Sequence, residues 1–242
     1  MKKTFTIFFL IYFSLILIIS TSLTGCGQNG NLFSEIPPRD TKQKAEDAIN
    51  SGDYNTSISL LEPYVSANSS DQQAIGLLST SYLLAAGINI INMAVSVLSS
   101  TSNYRNNLQT VLAILPAGSQ ANISLVTKAI NTISLTPASQ RNSNQNYMLA
   151  IANASLAMLT IKSSCLNSSG VLTSALISAM STTDANNIYS YLNSAQSNFS
   201  NVGISAGNSS GSGILANFIN QINATSGASN SAKVINFITS QV

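Results

Sequence analysis

The chain has no histidine and no tryptophan, only two cysteines and five prolines, and charged side chains at just 7% of its 242 positions. Each shortage closes off a chemistry. Without histidine, and with carboxylates this sparse, most general acid–base schemes and transition-metal sites have no parts. Two cysteines cannot build a disulfide framework. Ten basic and eight acidic side chains nearly cancel, so the chain carries no field that would steer it to nucleic acid. Hydrophobic residues make up 45%. The remaining polarity comes from Ser, Thr, Asn and Gln, which favours neutral, hydrogen-bonded contacts over electrostatic attraction.

What is present is most informative at the N-terminus. Lys2 and Lys3 precede an apolar run from Phe5 to Ile19, and Ser20, Thr21, Ser22, Thr24 and Gly25 then bring small residues. That is the layout of a secretory signal peptide over residues 1–25. The run is shorter than the roughly 20 apolar residues that span a bilayer. Leu23-Thr24-Gly25-Cys26 resembles the lipobox of bacterial lipoproteins. The resemblance implies cleavage before Cys26 and lipid on its sulfur. More than one acyl chain gives stable anchoring where one chain holds marginally. In that family an Asp after the cysteine retains the protein at the inner membrane. Gly27 stands there instead, which implies the outer membrane, facing the periplasm, in a Gram-negative cell. Residues 26–39 then read as the lipidated cysteine and a flexible Gly- and Asn-rich tether ending at Pro37-Pro38. Fully extended, that tether reaches about 40 Å.

Losing Lys2 and Lys3 with the leader balances the side-chain charges, so the basic pI carries no message about partners. The balance is uneven along the chain. Residues 27–71 hold Glu35, Asp40, Glu46, Asp47, Asp53, Glu62 and Asp71 against Arg39, Lys42 and Lys44. Residues 72–242 hold Arg105, Lys128, Arg141, Lys162 and Lys233 against Asp184 alone. Such a division is either incidental in a weakly charged chain, or lets the two parts face one another or the larger part meet an anionic surface.

From residue 40 to 242 the pattern predicts a single all-α domain, because apolar residues recur every three or four positions and never alternate. Asp40 caps a first helix with Gln43 as capping-box partner, and Gly52 ends it. Asp53 opens a second helix, in which Pro63 should kink or end the run. Asp71 opens a third, closed by Gly87. Further helices are expected over Ile90–Leu98, Tyr104–Leu115, Ser119–Leu135, Asn144–Ser163, Val171–Ser181 and Asp184–Phe199. A loop over Gly203–Gly213 and two short helices, Ile214–Ile222 and Ser231–Ser240, complete the chain. The architecture is either a helical hairpin array or an irregular multi-helix bundle.

Gly52-Asp53-Tyr54 between two helices, with Ser57 and Leu61 beyond it, recurs loosely from Gly87. Helix pairs at this spacing mark tetratricopeptide repeats. Residues 45–100 resemble a degenerate stretch of that family, without its tryptophan and with Ser69-Ser70 in place of the usual inter-repeat proline. The resemblance implies a groove for a peptide or partner helix.

No catalytic, metal-binding or cofactor-binding residues emerge. Glu46 and Asp47 are adjacent, so on a helix they point about 100° apart and form no dyad. Gly203–Gly213 lacks the Gly-Lys-Ser/Thr that reaches phosphates and magnesium. With Cys26 lipidated, Cys165 is left as a lone thiol at the end of an apolar helix, a buried structural residue with no base to activate it. The reading is a non-enzymatic cell-envelope lipoprotein. It is held to the membrane by lipid on Cys26 and acts as a protein-binding or scaffold module, with an envelope protein as partner and no nucleic acid. The alternative is a ligand-handling accessory component of a periplasmic solute transport system, a role served by some helical lipoproteins that resemble tetratricopeptide folds.

Overall fold

A computed structural model describes residues 39–89, 108, 112–202 and 211–242, with side chains from 218 onward in the last stretch. The chain divides at Asp40, and Thr41–Val242 forms one compact unit. Among the described residues that unit is all-α, a multi-helix bundle. Its helices are α1 (Thr41–Asn50), α2 (Tyr54–Ala67), α3 (Gln72–Ala85), α4 (Gln120–Ile133), α5 (Ser143–Cys165), α6 (Ser174–Ser178), α7 (Thr182–Asn201), α8 (Gly211–Ala224) and α9 (Asn230–Thr239). A 3₁₀ turn at Ala138–Gln140 precedes α5, and among the described residues extended pairing is confined to an isolated bridge between Leu166 and Leu172. Ile90–Leu98, most of Tyr104–Leu115, the lipobox and the tether lie outside the described residues.

Short polar side chains set the helix boundaries. Asp53 accepts the Thr56 N–H and opens α2, and Asp71 accepts the Ala74 N–H and opens α3. At the end of α1, Gly52 takes φ +80°, donates to Ile49 O at 3.0 Å, and lets Asp53 donate back to Ala48 O at 2.8 Å. One residue, Asp53, therefore closes α1 with its backbone and opens α2 with its side chain. Gly87 repeats the closing geometry after α3. Ser119, Asn142, Thr173, Ser181 and Ser229 cap α4, α5, α6, α7 and α9, and Asn142 forms a full capping box with Gln145.

Beyond shifts of one or two residues at helix ends, three features differ from the expectation. Pro63 does not end α2, which runs on to Ala67. Pro63 and Ser59 are both exposed, so the Ser59 carbonyl that loses its helical partner faces water. The helix expected from Val171 is only the five residues of α6, because Leu172 is extended and bridges to Leu166. The loop expected to Gly213 gives way to α8 at Gly211.

Packing proceeds from neighbour to neighbour. α1 lies on α2, α2 on α3, α3 on α4 and α4 on α5; α5 and α7 share the most extensive contact, and α9 covers α7. The core is continuous from Ala45 to Ile238. In α7, Ala185, Ile188, Leu192, Ala195 and Phe199 form a single buried stripe. The central helix, α5, is buried nearly all round, through Leu149, Ala150, Ile151, Ala152, Leu156, Ala157, Met158, Leu159 and Ile161. By length and composition α5 could cross a membrane, but 72% of its most apolar stretch is buried inside the fold, as befits a core helix.

Polar side chains inside this core bond to their own helices. Ser79, Ser81, Asn153 and Thr160 each donate at 2.8 Å to the carbonyl four residues back. Ser81 has thereby used its proton on Leu77 O, so Ser57, 2.8 Å away across the α2–α3 contact, is the donor of that pair.

Candidate functional site

The acidic residues singled out in the sequence do not converge. Glu46 accepts from the Gln73 amide at 3.2 Å, Asp53 turns back onto Thr56, and Glu62 faces α3 and α4. Among the described residues, no group of three His, Cys, Asp or Glu side chains is placed to hold a metal ion.

Two other clusters form instead, built alike from a tyrosine hydroxyl, a carboxylate and a lysine. In the first, the Tyr82 hydroxyl of α3 donates to Glu62 Oε1 of α2. Lys128 of α4 donates to the same oxygen at 3.1 Å, with its ammonium 5.3 Å from the centre of the Tyr82 ring. In the second, Asp71 Oδ2 accepts from Lys42 of α1 at 3.1 Å and from the Tyr64 hydroxyl of α2 at 3.2 Å, while Oδ1 caps α3. The Tyr82 bond, then Lys128, holds the Glu62 carboxyl below the usual glutamate range. The Ala74 N–H foremost, then Lys42 and Tyr64, holds Asp71 low. Burial and Glu62 push the Tyr82 hydroxyl well above the usual tyrosine range. Lys128 and Glu62 thus join the basic part of the sequence to the acidic part.

Nothing in the sequence around Tyr64 or Tyr82 marks the partners of their hydroxyls. Glu62 lies 20 residues from Tyr82 and 66 from Lys128, and no local pattern links them. In each cluster the ammonium and the hydroxyl both turn to one carboxylate oxygen.

Cys165 is fully buried, and its thiol is pushed up to about 12 by burial and then by Asp184, so it carries no nucleophilic thiolate at neutral pH. Lys162, one turn earlier, donates to Leu112 O at 2.8 Å and Leu115 O at 2.7 Å, and its burial there holds it below the usual lysine range. Cys26, the residue assigned to lipidation, lies outside the described residues. Comparison with protein families, curated proteins and solved structures finds no match for the chain. The tetratricopeptide resemblance of residues 45–100 therefore rests on the motif residues alone.

Proposed function

We propose that the protein is a non-enzymatic cell-envelope lipoprotein, anchored by lipid on Cys26, whose helical unit serves as a protein-binding or scaffold module. The observation that carries this reading is the order of the N-terminal residues: two lysines, an apolar run, small residues, then Leu23-Thr24-Gly25-Cys26. A Gly- and Asn-rich tether follows it directly, and a compact unit begins at Thr41. Gly27 after the cysteine favours the outer membrane as the site of attachment.

A binding module is favoured over solute handling by what the polar interior does. Ser57, Ser79, Ser81, Asn153 and Thr160 bond to one another or to their own helices, and so are not held ready for a ligand. A solute site needs convergent polar groups left free to turn toward it. The row α1–α3 is the region whose motif resembles a repeat, and it is where a partner peptide or helix should dock.

Two experiments test the two halves of the proposal. Metabolic labelling with an alkyne fatty acid should mark the wild-type chain and spare Cys26→Ser; a labelled Cys26→Ser chain overturns the anchor. Photo-crosslinkers at the exposed positions Gln43, Asn55 and Ser66, read by mass spectrometry in intact cells, should capture one recurrent envelope protein. Crosslinks spread over many abundant neighbours refute the binding role.

A further inference from the structure

The two tyrosine–carboxylate–lysine clusters share a consequence that neither has alone. Asp71 ties α1, through Lys42, and α2, through Tyr64, to the start of α3. Glu62 ties α2 to α3, through Tyr82, and to α4, through Lys128. The attachment of α1–α3 to α4 and to one another is therefore laced by two carboxylates, and Asp53 caps the helix between them. The rest of the unit shares the apolar core but has no such carboxylate contacts between helices among the described residues. Asp184 is the one carboxylate side chain after Asp71 in the whole sequence. The contacts of α5, α7 and α9 are apolar, with hydroxyls and amides bonded to backbone carbonyls.

We infer that the unit is built to loosen in stages on acidification, α1–α3 leaving α4 while the α5–α7–α9 bundle stays folded. The groups that face Glu62 are Tyr82 from α3 and Lys128 from α4; those that face Asp71 are Lys42 from α1, Tyr64 from α2 and the Ala74 N–H of α3. All of them favour the ionised carboxylate. A carboxyl held below its ordinary value, 4.5 for Glu62 and 3.8 for Asp71, contributes stability that is complete above that value. That contribution is lost as pH falls through the native one. Protonation removes the negative charge that Asp71 presents to Lys42 and that Glu62 presents to Lys128 at the same junction. Between α5 and α7 the one carboxylate is Asp184, in the first turn of α7, whose charge only disfavours the Cys165 thiolate; the buried stripe from Ala185 to Phe199 contains no titrating group.

Hydrogen exchange by mass spectrometry on the full chain, corrected for the intrinsic pH dependence of exchange, tests the inference. Between pH 7 and about pH 3, peptides from residues 41–89 should lose protection by roughly tenfold or more, while those from 143–165 and 182–201 should stay within about threefold. The double variant Glu62→Gln, Asp71→Asn keeps acceptors for both tyrosines and a capping side chain for α3 but cannot titrate. It should lose most of the acid response of residues 41–89. Equal loss of protection in both regions of the wild-type chain overturns the inference. So does a double variant that responds to acid as the wild type does. If the double variant proves unstable at neutral pH, the wild-type comparison between the two regions still decides.

Discussion

Gly118 and Gly76 should respond in opposite directions to the same substitution. A Cβ at Gly118 would stand 2.6 Å from Ser163 N, 2.8 Å from Leu159 O and 3.0 Å from the Lys162 carbonyl carbon. All three are backbone atoms of α5, so no side chain can swing aside, and the 112–118 segment must move off the helix. Overpacking of this kind costs about 1–3 kcal/mol. The same movement draws the Leu112 and Leu115 carbonyls away from the Lys162 ammonium, and each such bond contributes about 1 kcal/mol net. Gly118→Ala should therefore destabilise the protein by about 3 kcal/mol, a fall in Tm of roughly 6–12 °C for a domain of this size. Gly76 lies inside α3 with nothing within 4 Å of the position a Cβ would take. There alanine removes a flexible residue from a helix interior and should add about 0.5–1 kcal/mol. Thermal and urea unfolding followed by circular dichroism at 222 nm measure both. A Gly118→Ala protein within about 0.5 kcal/mol of wild type would refute the close approach of this segment to α5.

Other consequences are as direct. Lys162→Met keeps the length of the side chain but leaves two carbonyls without their donor, and urea unfolding should show a loss of about 1–3 kcal/mol. In a Cys26→Ser background, Cys165 should resist a disulfide reagent at pH 8 and react only when urea opens α5; fast reaction of the folded protein would contradict its burial. Tyr82→Phe removes the hydroxyl that Glu62 accepts, so by NMR titration Glu62 should protonate closer to its ordinary 4.5 than in wild type. Ser81→Ala should cost more than Ser79→Ala, by about 1 kcal/mol in chemical denaturation, because it also strips the buried Ser57 hydroxyl of its acceptor.

Fold class was legible because it depends on local signals. The three- and four-residue spacing of apolar positions marked the helices, and Asp53, Asp71, Gly52 and Gly87 each act where the sequence placed them. Start sites were lost where the cap is a residue the chain uses everywhere: in a Ser- and Asn-rich sequence neither Asn142 nor Ser181 stands out from its neighbours, and α7 begins at Thr182 where Asp184 had drawn the eye. Of the two outcomes expected at Pro63, a kink or an end, the end does not occur, for a different reason. The rule that proline stops a helix presumes that the freed carbonyl has no other partner, and on an exposed face water supplies one. The Tyr82–Glu62–Lys128 cluster was out of reach because three helices must be packed before its members meet. The opposite charges of the two parts of the sequence foreshadowed it, but without the residues.

Packing each helix on the one before it also bears on how the chain acquires its structure. Contacts between α1 and α2, α2 and α3, and α5 and α7 each close a short loop, so the entropy lost before the first stabilising contact is small. Chains rich in such local contacts fold quickly and need no distant strand to find its mate. For a chain exported unfolded, as proposed above, that economy would matter. Helices can settle in the order in which they emerge, beginning with α1, α2 and α3, and α5 can bury its apolar surface as soon as α7 arrives. Little of that surface then stays bare long enough to meet another chain.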